Sequence, residues 1–199
     1  SVAKLVNHTK KVNVTLSSKK KIGKMKKSSR FLTSDSNHIE LEIFYSQIHG
    51  DEIQIIKNAL TKTYKDILEV FTGGEIELIS QAYDQQRDQY HAEILLRHLL
   101  NNKKRETALW VIPKDLYTHG MNFIFGLAYH LQGAVLSTFR LSNKELIEKE
   151  AIHETGHVLG LDHCTNSCVM RYSNSLWEAK TKPLYLCEKC KQKINMLKS

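Results

Sequence analysis

Several residue types are scarce in this 199-residue chain, and each scarcity excludes something. Two prolines and nine glycines exclude collagen-like and low-complexity repeats. Four cysteines are too few for a disulfide-rich scaffold. No apolar run approaches the roughly 18–20 residues that a membrane span needs, so no membrane association is expected. The start lacks an apolar segment behind a short basic stretch, so it does not read as a secretory signal. The expectation is therefore a reducing, cytoplasmic compartment. Acidic residues are missing altogether from residues 1–30.

What is present is ordinary for one globular domain: 41% hydrophobic and 25% charged residues. The formal charge of +8 is unevenly spread. Residues 1–30 carry ten Lys or Arg, which leaves 19 basic against 21 acidic groups in the other 169 residues. The basic excess belongs to a tail, residues 1–38, and not to the domain, residues 39–199. Such a like-charged block reads as disordered and often touches anions, nucleic acid included; the plainer alternative is a solvated leader.

Periodicity along the domain predicts alternating elements. Glu40–Tyr45 alternates as a strand. Apolar residues at helical spacing from Ile53 to Phe71, behind Asp51, predict a helix that ends before Gly73 and Gly74. Ile76–Ile79 reads as a strand and Gln85–Leu100 as a second helix. Thr107–Ile112 (TALWVI) is unbroken and apolar, as a strand buried on both faces would be. Met121–Tyr129 and Ala134–Phe139 read as two more strands. A third helix, Lys144–Leu159, starts at Asn143 and ends at Gly160. A short final helix covers Lys189–Leu197. This order predicts an α/β (α+β) three-layer domain with a mixed, mostly parallel sheet.

The third helix ends in His153-Glu154-Thr155-Gly156-His157, followed by Gly160 and His163. Residues four apart share one helix face, so His153 and His157 can bind one zinc ion. Gly160 lets the chain turn and brings back His163 as a third ligand. Three protein ligands leave one open position, the arrangement of a catalytic zinc. Glu154 lies beside them as the base for a zinc-bound water. Met170 follows seven residues after His163 and reads as a methionine turn beneath the metal, although a lone Met is more often core filler. Tyr172 could donate to an oxyanion or be a packed surface residue.

Cys164, Cys168, Cys187 and Cys190 all fall in the last 36 residues, as C-x3-C and C-x2-C. Two close pairs read as a closed, structural four-thiolate zinc site; two disulfides or a redox pair are the alternatives. Because Cys164 directly follows His163, the two metals would be neighbours along the backbone.

HETGHVLGLDHCTNSCVMRYSN together with CEKC resembles the archaemetzincin family of metzincin-clan zinc peptidases. The likeness extends upstream through QRDQYHAEILL, ALWVIPKDLY, MNFIFGLAYH and GAVLSTFRL, and it leaves out the basic tail. It implies a metzincin-like fold, with a mixed sheet above a zinc cleft and a C-terminal subdomain below. It further implies His153, His157 and His163 as ligands of a catalytic zinc, Glu154 as general base, and Met170 as the methionine turn. The four cysteines would hold a second zinc. In one departure, three residues instead of the usual four separate Cys164 from Cys168.

The resulting expectation is a monomeric zinc metallopeptidase, an endopeptidase or aminopeptidase-type hydrolase acting on peptides or proteins, with two zinc ions per chain. Its substrate would lie along an exposed antiparallel edge strand, for which Ala134–Phe139 is the candidate. Two rivals remain. One is a nucleic-acid-associated zinc protein acting through the Lys-rich tail, which leaves Glu154 unused. The other is a silent or latent metzincin fold that binds peptides.

Overall fold

The computed structural model describes residues 38–173 and 175–198. The basic tail, apart from His38, lies outside the described residues.

Five strands form the main sheet: β1 (Ile39–Tyr45), β2 (Leu68–Glu75), β5 (Thr107–Ile112), β8 (Gly126–Tyr129) and β9 (Gly133–Ser137), in the order β2-β1-β5-β9-β8. All neighbours run parallel except β8, which pairs antiparallel with β9. A smaller sheet holds β3 (Tyr83–Asp84), β4 (Gln89–His91), β6 (Leu116–Thr118) and β7 (Met121–Ile124). The helices are α1 (Gly50–Thr63), α2 (Ala92–Asn102), α3 (Lys144–Val158), α4 (Leu176–Thr181) and α5 (Glu188–Asn195).

Strand alternation divides the interior into two cores. Leu41, Ile43, Leu109, Val111, Ala134 and Leu136 point to the face covered by α1 and α3. Phe44, Ala108, Trp110, Ile112 and Val135 point to the opposite face, which α2 covers through Leu95, Leu96 and Leu99. Since successive strand residues face opposite ways, TALWVI can be buried at all six positions only with helices on both sides. This is the expected three-layer arrangement.

Several boundaries differ from the sequence expectation. The first helix stops at Thr63, and Leu68–Phe71, expected to be helical, joins β2, where pairing with β1 satisfies the backbone. Gly73 and Gly74 lie inside β2 and do not break it. The register slips between Ile43 and Phe44, and Gly74 takes up the slip at φ +99°. Ile76–Ile79 is no strand, although Ile76, Leu78 and Ile79 still pack on the α2 core. The second helix begins at Ala92, because Asp84 accepts hydrogen bonds from the Gln86 and Arg87 amides and starts a turn. Met121–Tyr129 divides at Phe125 between the two sheets. The helix α4 had no counterpart in the expected elements.

One correction bears on substrate binding. β9, expected at the edge, is interior, with β5 on one side and β8 on the other. The free antiparallel edge is β8. A strand's position in the sheet depends on which partners reach it, and nothing in its own composition records that.

The start of α3 follows the expectation: Asn143 is extended, and its Oδ1 accepts from the Leu146 amide at 3.0 Å. Asn143→Ala should cost about 1 kcal/mol of stability. In a domain of this size that lowers Tm by about 2–4 °C, measurable by calorimetry.

Candidate metal centre

The site is assembled around the end of α3. Gly160 adopts φ +87°, its amide donates to the His157 carbonyl at 3.0 Å, and the Leu161 amide donates to the Gly156 carbonyl at 2.9 Å. These two bonds form a Schellman turn, which needs a left-handed residue at its centre. The turn reverses the chain so that His163 meets His153 and His157. One ring nitrogen of each histidine lies within 4.8 Å of the others.

Backbone carbonyls orient two of the rings. His153 Nδ1 donates to the Val169 carbonyl at 2.9 Å, and His157 Nδ1 donates to the Leu161 carbonyl at 2.7 Å. A carbonyl can only accept, so the proton of each neutral ring sits on Nδ1 and leaves Nε2 with a free lone pair. The two Nε2 atoms face each other at 3.1 Å. Two lone pairs at that distance repel unless a cation lies between them. Tetrahedral zinc with ligands at about 2.0–2.1 Å requires nitrogens about 3.3 Å apart, so the triad fits zinc. His163 Nε2 is also buried and has no hydrogen-bond partner.

The electrostatics agree. Burial, more than any neighbour, holds the pKa of His153 well below the ordinary histidine value. His157 is brought down to about 4, first by burial and then by the charge of His163. His163 shifts down less, again chiefly by burial. All three rings are therefore neutral and ligand-ready at neutral pH.

Glu154 is fully buried, and neither carboxylate oxygen has a hydrogen-bond partner. Burial raises its pKa well above the usual carboxylate range; the charge of Glu150 adds to this, and Lys182 opposes it. Its carboxylate lies against the edge strand at Gly126. A Cβ there would stand 2.5 Å from Glu154 Cδ and 2.7 Å from Oε1. Met170 is buried beneath α3, where a Cβ on Gly156 would come within 2.5 Å of its Sδ. Tyr172, 40% exposed, meets the His163 ring edge-on at 4.9 Å.

The four cysteines also converge, their sulfurs within 4.8 Å of one another, and all are free thiols. Cys164 and Cys187 sulfurs are 3.7 Å apart. Tetrahedral zinc–thiolate bonds of about 2.3 Å require about 3.8 Å between sulfurs, so this cluster fits zinc as well. Three residues between Cys164 and Cys168 thus suffice to bring both to one point. The Cys187 thiol is pushed up by burial, but hydrogen bonds from the Asn166 side chain and the Cys190 amide outweigh this and bring it to about 6. Burial raises Cys168 and Cys190.

A cavity of about 570 Å³ lies elsewhere, between the end of α1, α3 and α5, with Tyr64, Ile152, Tyr185 and Ile194 in its walls. None of the three histidines lines it. Three residues at the centre escaped the sequence reading: Gly126, Glu150 and Lys182. A glycine in a strand and charges on a helix are unremarkable in sequence, and only burial distinguishes them.

The histidine shifts carry a sign. Unfolded His157 protonates near pH 6.5, and the folded residue only near 4. Between these values the unfolded chain holds the extra proton, so metal-free stability falls as the pH drops. For His157 alone the loss is roughly 3 kcal/mol. Thermal unfolding of the metal-free chain should weaken more steeply from pH 6.5 to 4 than that of His157→Ala, a comparison in which the opposing contribution of Glu154 cancels.

Comparison with known proteins agrees with the geometry. The model of Peptidase family M54 matches residues 40–196. The curated archaemetzincin of Archaeoglobus fulgidus is 40% identical over 155 residues, covering 74% of this chain and 93% of the relative. Its crystal structure, complexed with malonate, superposes with a TM-score of 0.72 at 37% identity, over 78% of this chain and 99% of the other. The archaemetzincin structure from Methanopyrus kandleri gives 0.74 at 29% identity, over 83% and 98%. With the family match spanning both the three-histidine and the four-cysteine clusters, the chain belongs to Peptidase family M54, the archaemetzincins.

Proposed function

We propose that this chain is a zinc-dependent peptidase in which His153, His157 and His163 hold the catalytic ion and Glu154 carries the proton. One observation supports the reading above the rest: three imidazole donors converge beside a buried carboxylate that has no partner of its own. A zinc ion held by the triad supplies a Lewis acid for the peptide carbonyl and acidifies water. Glu154 accepts a hydrogen bond from the attacking water and takes its proton as the new C–O bond forms. It then delivers that proton to the leaving nitrogen as the C–N bond breaks. A carboxyl whose pKa is raised by burial holds a proton more readily than a solvated one, which suits it to both tasks.

The peptide lies along β8, the free antiparallel edge, and bonds through its main chain. Gly126 keeps that edge bare of a side chain where it passes Glu154. Tyr172, beside His163, donates its hydroxyl to the oxyanion. Met170 forms the apolar floor beneath α3. Cys164, Cys168, Cys187 and Cys190 hold a second, structural zinc, which secures the loop bearing His163 to α5.

The test is an unbiased peptide library, read by mass spectrometry, with the zinc-loaded chain and its Glu154→Ala variant. Cleavage by the parent, about 10²–10⁴-fold slower in the variant at equal zinc content, is expected. Retained cleavage in the variant would sink the role of Glu154. Internal or terminal cleavage would separate endopeptidase from aminopeptidase action. Native mass spectrometry should find two zinc ions per chain, and one after Cys168→Ser combined with Cys190→Ser. An unchanged count would remove the cysteines from metal binding.

A further inference from the structure

Among the described residues, one pair of opposite charges is withdrawn from water on both sides. The side chains of Lys182 and Glu150 are 1% and 0% exposed and meet at 2.8 Å. Beyond this ion pair, neither the ammonium nor the carboxylate has a hydrogen-bond partner. Burying two charges costs more than their attraction commonly returns unless further hydrogen bonds complete both groups, so stability alone does not explain the pair. Apolar side chains of the same volume would serve stability as well or better. What an isolated buried pair can supply is register, since each charge has one place to go.

Its position gives that register a use. Glu150 lies on α3 three residues before His153 and one turn before Glu154. Lys182 is the residue at which the chain leaves α4 on its way to Cys187. Three residues further on, the Tyr185 carbonyl accepts from the Val169 amide at 2.8 Å. The Val169 carbonyl in turn accepts from His153 Nδ1 at 2.9 Å. The contacts therefore close a ring: Glu150, Lys182, Tyr185, Val169, His153, and back along α3 to Glu150. A parallel tie runs from Lys149 Nζ to the Lys180 carbonyl at 2.8 Å. The charge of Lys182 also bears on the centre itself, lowering the pKa of all three histidines and of Glu154.

We propose that Lys182 is a positioning residue, whose ion pair with Glu150 sets the register of the 169–187 segment against α3 and thereby aims the His153 ring at the metal. Its consequence for peptide hydrolysis rests on the peptidase reading above. Its consequence for metal retention rests on the triad binding zinc.

The experiment compares the zinc-loaded chain with Lys182→Met/Glu150→Leu, in which an apolar pair replaces the ionic one. Three quantities are read: Tm, the rate of zinc release to a chelator in the phase that His157→Ala abolishes, and kcat with KM. The expected result is a Tm equal to or above that of the parent, with zinc release about 10–100-fold faster and kcat lower by a similar factor at unchanged KM. Parental release rate and kcat in the apolar variant would overturn the proposal and leave the pair a structural contact. If the parent cleaves no peptide, the peptidase reading fails while the release rate still decides the role of Lys182. If the apolar variant does not fold, Lys182→Met/Glu150→Gln, which keeps the shape and leaves no buried charge unpaired, takes its place. Faster release at parental Tm upholds the proposal, and an unchanged rate overturns it.

Discussion

The helix α3 is buried on nearly every side, and the rest of the centre answers to that fact. From Leu146 onward every residue of the helix except Glu148 is buried. Polar groups in such a place must find partners or remain neutral. His153 and His157 find backbone carbonyls for one nitrogen each and keep the other free. Glu150 finds Lys182. Glu154 finds none, and its carboxyl is pushed towards the neutral form. Burial, with the carbonyls that take the Nδ1 protons and the neighbouring charge of Glu150, thus produces both the ligand-ready imidazoles and the carboxyl without a partner.

The segment from His163 to Cys190 completes what α3 begins. It leaves the helix through the turn at Gly160, delivers His163, and enters the four-cysteine cluster at the next residue. The Cys164 amide donates to the Met170 carbonyl at 2.9 Å, so the loop folds back on itself before it reaches α4. Met170 then fits beneath α3 because Gly156 has no side chain. Within this small region a cluster of thiols, a buried methionine and a buried ion pair lie around one histidine triad. A site that must hold its ligands to within a fraction of an ångström needs such support.

Much of this was legible in the sequence. The spacing of His153, His157, Gly160 and His163 is local, and a helix followed by a left-handed turn converts it into three converging rings almost unaided. The same holds for the cap at Asn143 and for the buried strand Thr107–Ile112, whose composition admits little else. The two cysteine pairs were legible because few other arrangements explain four cysteines confined to so short a stretch. Less legible were elements of weak local preference. The apolar residues of Leu68–Phe71 sit equally well at helical or strand spacing, and pairing with β1 decided between them. Tyr83–His91 was lost to a second sheet of two- to four-residue strands, too short to leave a period.

By itself the sequence determined which groups could do chemistry: the histidine triad, Glu154, the four thiols and the turn that joins them, all set by spacings of a few residues. Tertiary structure alone decided which strand ends the main sheet. The antiparallel edge strand is β8 and not β9, because edge position depends on which strands arrive beside it. It also decided that Lys182, 32 residues from Glu150, becomes its partner, and that Gly126 stands against Glu154. These are contacts between distant parts of the chain, and their cause is burial, which no local pattern of charge or size encodes.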